Sequence, residues 1–77
     1  MPEINLTING ENIKMNAQKI CSGMNPRTLR HAVYIMDDDT GKTARLLCEN
    51  FEEAKALVQQ IRNGKVTDLT GYSVKWN

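Results

Sequence analysis

Residues 43–63 read TARLLCENFEEAKALVQQIRN, and two folds compete for them. Ala44, Leu47, Phe51, Ala54, Val58 and Ile61 follow one another at intervals of three and four. That spacing is the seam of one continuous helix. The competing reading places a strand over 43–49 and a helix over 51–62. Asn50 is then the N-cap, and Glu53, three residues on, completes a capping box. Two residues favour strand then helix. Asn50 competes with the backbone inside a helix but caps one well, and Gly41, just upstream, suits a hairpin turn better than a helix start. Phe51, Ala54, Leu57, Val58 and Ile61 form the expected buried stripe of this helix. Asn63-Gly64 closes it.

Working upstream, Arg30 to Met36 is rich in Val33, Tyr34 and Ile35 and reads as a strand. Asp37-Asp38-Asp39-Thr40-Gly41-Lys42 is turn chemistry. The two strands leave open which residues share a face. A four-residue loop puts Val33 and Ile35 with Ala44, Leu46 and Cys48; a three-residue loop with a bulge puts Tyr34 and Met36 there instead. At the start of the chain, Ile4, Leu6 and Ile8 alternate with Asn5 and Thr7, then Asn9-Gly10 supplies a type I′ turn. Ile13 and Met15 follow in alternation, so Leu6 is expected to face Ile13 and Ile4 to face Met15. Asn16 is read as the cap of a short helix over 17–22, because Ala17, Ile20, Cys21 and Met24 recur at helical spacing and Gly23 suits its end. Pro26 opens either a further helical turn through Leu29 or a plain loop. Tyr72, Val74 and Trp76 alternate in a final strand. The expected fold is one α+β domain over 1–77. It has two layers, a mostly antiparallel sheet of about five strands in the order ββ(α)ββαβ, and one main helix on one face.

Composition bounds the function classes. At 77 residues there is room for one domain. Met1 to Asn5 has no basic start and no apolar run, and the longest apolar stretch, Ala32 to Met36, is too short to span a bilayer. A cytoplasmic location is expected, with Cys21 and Cys48 reduced. The net charge is +1 but unevenly distributed. Residues 12–36 carry Lys14, Lys19, Arg27 and Arg30 and no acid, whereas residues 37–53 carry six acids against Lys42 and Arg45. The chain is therefore expected to have one basic and one acidic face.

Motifs for chemistry fail at named positions. Gly41-Lys42-Thr43 ends like a phosphate-binding loop, but Met36 stands where its first glycine is needed. Asp37 and Asp39 fit the first two ligand positions of a calcium loop, but Cys48 stands where the closing glutamate is needed. His31 has no sequence cue placing it beside a serine and an aspartate. Neither cysteine has a local cue for a lowered pKa, and both are expected as small core residues. No enzyme activity, metal or cofactor is expected.

Gly23-Met24-Asn25-Pro26-Arg27-Thr28-Leu29-Arg30 resembles the turn and early recognition helix of helix-turn-helix proteins of the MerR and excisionase kind. The resemblance covers about eight residues. It implies a helix in the major groove with Lys19, Arg27, Thr28 and Arg30 toward DNA and the 30–49 hairpin as a wing. The sequence departs from that pattern at Lys19, where a small residue is expected, and at His31 to Met36, which is strand-like.

The remaining signal is a surplus of apolar surface. Whichever face of the 30–49 hairpin the helix covers, the other keeps large apolar groups, and such a patch rimmed by charge marks an interface. The function expected is a non-enzymatic protein-binding module. Its contact residues are expected to be Tyr34, Met36, Asp37, Asp38, Asp39, Lys42 and Arg45. The partner is expected to be another protein, such as a nucleic-acid-handling complex, or a second copy. In size and make-up the chain is similar to anti-CRISPR proteins, which implies a small phage or mobile-element inhibitor acting by occlusion.

Overall fold

The computed structural model describes residues 3–76. The chain runs β1 (Glu3–Ile8), β2 (Glu11–Asn16), β3 (Lys19–Asn25), β4 (Arg30–Met36), β5 (Thr43–Cys48), α1 (Phe51–Arg62) and β6 (Val74–Trp76). The fold is α+β, with six strands in two antiparallel sheets where about five in one were expected. One sheet is the β1–β2 hairpin; the other has the order β3-β4-β5-β6.

The first hairpin follows its turn. Asn9 and Gly10 both take positive φ, 53° and 83°, as a type I′ turn requires. Leu6 pairs with Ile13 and Ile4 with Met15. Leu6, Ile8 and Met15 are buried.

The short helix expected over 17–22 does not form; from Lys19 onward the segment is strand β3. Ile20 and Met24, four apart, fit a helix face and a strand face equally, and β3 gains seven paired positions along β4. Six residues cannot sustain a helix without help, so the ladder wins. Asn16 caps nothing. Its N–H instead donates to Asp37 Oδ1 at 3.1 Å and its C=O accepts from the Asp38 N–H. Gly23 ends no helix; it lies inside β3 opposite Ala32.

The long-helix reading of 43–63 is replaced by strand and helix. Asn50 breaks the chain between them with φ −151° and ψ 173°, and its side chain accepts from the Glu53 N–H at 2.8 Å. Glu53 reaches back to the Glu49 N–H at 3.1 Å. At the other end Gly64, at φ 71°, donates to Ile61 C=O and Lys65 donates to Gln60 C=O, which is the Schellman closure. Ala54, Leu57, Val58 and Ile61 are buried, but Phe51, expected in that stripe, is 54% exposed and meets His31 edge-on at 5.8 Å.

The 30–49 hairpin takes the first of the two expected faces. Val33 pairs with Leu46 and Ile35 with Ala44, and all four are fully buried with Cys48 nearby. Asp37 donates its N–H to Lys42 C=O at 2.9 Å, leaving four loop residues. The inner face of the four-stranded sheet, α1 and the β1–β2 hairpin share one core, closed by Leu69. The segment after α1 joins the free edge of β1: Thr7 donates to Thr67 C=O at 2.7 Å, and Leu69 donates to Thr7 C=O at 2.8 Å.

Candidate binding face

Strand alternation sends every second residue of the larger sheet away from the core. The register places Lys19, Cys21, Gly23 and Asn25 of β3, Arg30, Ala32, Tyr34 and Met36 of β4, Thr43, Arg45 and Leu47 of β5, and Lys75 of β6 on that outer side. No helix or hairpin of the described residues lies over it. One row crosses the sheet as Cys21, Tyr34, Arg45 and Lys75. The next row carries Gly23, Ala32 and Leu47. The centre is therefore small and apolar around one tyrosine. Lys19, Arg30, Arg45 and Lys75 surround it, and none of the outward residues of these four strands is acidic.

Gly23 shapes that centre. A β-carbon there would come within 3.3 Å of Tyr34 Cε2. The ring edge occupies the space above β3 that any other residue would fill, so the missing side chain fixes where the tyrosine lies. Two shallow depressions flank Arg45. One holds about 130 Å³ between Arg30, Tyr34 and Leu47; the other holds about 140 Å³ beside Ser73 and Lys75.

The sequence-derived candidates divide between two places. Tyr34, Met36 and Arg45 stand on the outer face. So do Lys19 and Arg30, and Thr28 lines the depression beside Arg30. These three came from the helix-turn-helix reading, whose helix is absent. Residues 26–29 instead form the loop of the β3–β4 hairpin. Its first turn keeps the chemistry of a helix start: Asn25 Oδ1 accepts from the Arg27 N–H at 2.9 Å, and the Leu29 N–H reaches Asn25 C=O at 2.8 Å. The turn stops at Leu29, whose φ of 57° is left-handed, and Arg30 begins β4. A wing-and-recognition-helix arrangement is thus replaced by a hairpin, with Arg27 exposed at its tip.

The acidic loop lies elsewhere. Asp37 points to the β2 side and is only 8% exposed. Its Oδ1 accepts from the Asn16 and Asp39 N–H groups, and its Oδ2 accepts from the Thr40 hydroxyl at 2.9 Å. The Thr40 hydroxyl bond, helped by the two backbone donors, holds its carboxyl below the usual range. Asp38, Asp39 and Lys42 are exposed on this loop. Cys21, expected in the core, is exposed on the outer face; Cys48 is buried, and burial first, with Glu53 second, raises its thiol pKa. The two cysteines lie on opposite sides of the sheet with β4 between their strands. Among the described residues no three His, Cys, Asp or Glu side chains converge as metal ligands, and no helix is long and apolar enough to cross a membrane.

Lys75, Leu47 and Gly23 were missed as members of the face. Lys75 was within reach of the sequence, since alternation with Val74 and Trp76 sets it outward. Its place beside Arg45 needed the sheet order. No family model, curated protein or solved structure matches the chain.

Proposed function

We propose that this chain is a non-enzymatic binding module whose outer sheet face docks on an acidic surface of a partner protein. The single observation behind this reading is the anatomy of that face: a small apolar centre around Tyr34, ringed by four cations, with no carboxylate among the outward residues of its four strands. Interfaces concentrate energy in a desolvated centre enriched in Tyr and Arg, with a charged rim. A rim of one sign selects a partner of the other and speeds encounter. The module works by covering its target, which suits an inhibitor of nucleic-acid machinery in the cytoplasm.

The test is recovery of partners by the tagged chain from a lysate of its source. Proteins held by the wild type are expected to be lost with Arg45→Glu and with Tyr34→Ala, and retained with Asp38→Ala. Partners indifferent to both face variants would overturn the reading. Binding of a labelled single-stranded oligonucleotide that weakens steeply with salt would reassign the face to nucleic acid.

A further inference from the structure

A separate cleft lies on the core side of the molecule, between β2 and β6. It encloses about 460 Å³ and is lined by Ile13, Lys14 and Met15 on one wall and Trp76 on the other, with Thr40 and Lys42 closing one end. Its volume falls within the range of about 300–1,000 Å³ typical of ligand sites.

We propose that this cleft is a strand-addition groove, which takes an extended segment of a partner protein in which apolar residues alternate with acidic ones. The backbone on both walls supports this. Thr7 bonds outward to Thr67 and Leu69, so Thr7 and its partner Asn12 form a non-hydrogen-bonded pair. The same parity turns the N–H and C=O of Asn12, Lys14 and Asn16 away from β1. Asn16 spends both on Asp37 and Asp38; those of Lys14 face the cleft edge. Across the cleft, Leu47 donates to Ser73 C=O at 3.1 Å. That parity makes Val74 and Trp76 the residues whose backbone points away from β5.

Among the described residues β2 and β6 are each the last strand of their sheet on this side, so the cleft lies between two open edges. An added strand would find donors and acceptors at each edge. Trp76, 40% exposed, offers its ring to an apolar residue of that strand. Lys42, and Lys14 once it exchanges its exposed ion pair with Glu3 at 3.3 Å, supply positive charge for alternating carboxylates, while the carboxylate among the described lining residues, Asp37, is committed to its own loop.

The probe is a displayed library of random linear dodecapeptides, panned on the full chain. Enriched peptides are expected to alternate apolar and acidic residues and to slow exchange of the Lys14 and Trp76 amides at least tenfold. Lys14→Pro removes the edge donor without a ladder bond to lose and is expected to weaken binding at least tenfold. Trp76→Ala is expected to do the same through the apolar wall. Tyr34→Ala, on the outer face, is expected to leave peptide affinity within twofold, which separates this groove from the outer-face reading. Failure to enrich any peptide overturns the proposal. So does binding indifferent to Lys14→Pro and Trp76→Ala. A dimer that Lys14→Pro converts to monomer also overturns it, by giving the groove to a second copy.

Discussion

The two faces of the β3–β6 sheet are built from the same strands, one residue out of step. On the inner face Val33, Ile35, Ala44 and Leu46 are fully buried. On the outer face Tyr34, Arg45 and Leu47, each one position along, are half-buried beside charge. The inner face holds the fold together because it meets α1 and the first hairpin. Among the described residues no second layer meets the outer face. Stability and recognition are thus divided by the parity of a residue number, which makes the division easy to attack.

The largest effect is expected from neighbouring leucines. Leu46→Ala, on the inner face, should cost about 2–5 kcal/mol through lost burial and the cavity it leaves. Leu47→Ala, on the outer face, should cost about 1 kcal/mol or less. Urea unfolding of the two variants measures both, and equal losses would break the comparison. The next effect tests the joint between the sheets. The folded-state pKa of Asp37 is depressed, so its contribution to stability is present above the unfolded value near 3.8 and is lost as pH falls through the lower folded value. Wild type is therefore expected to lose stability on acidification through that window, and Asp37→Asn to show a flatter acid limb in the same titration.

Leu29→Asn should gain about 0.5–1 kcal/mol. It relieves a left-handed leucine that is already 68% exposed. Thermal melts would check it. The smallest effect should come from Arg45→Ala, which is expected to leave stability within about 0.5 kcal/mol. A larger change would mean the outer face helps hold the fold.

Much of this division was legible in the sequence. Asn9-Gly10 fixed one register, and Asn50 with Glu53 separated β5 from α1. The 17–25 segment misled because Ile20 and Met24 satisfy both periods. Its partner, β4, could decide between them only through contacts that local pattern does not contain. The outer face was half legible: Tyr34, Met36 and Arg45 follow from alternation within one hairpin. Arg30, on the same strand, follows the same alternation, whereas adding Lys19 and Lys75 required knowing that β3 and β6 flank that hairpin. Asp37 read as a loop charge, and only the approach of Asn16 made it an anchor.

The bonds of Thr7 to Thr67 and Leu69 bear on the order of folding. The β1–β2 hairpin closes over two residues and is expected within microseconds. Its outer edge, however, is secured by a segment some sixty positions later, after α1 has formed and the chain has turned back. Closing so distant a contact is slow relative to local pairing. The hairpin that forms earliest is therefore expected to be fastened last. Pulse-labelled hydrogen exchange should show the Thr7 amide gaining protection after that of Ile35, and protection of Thr7 first would reverse the order.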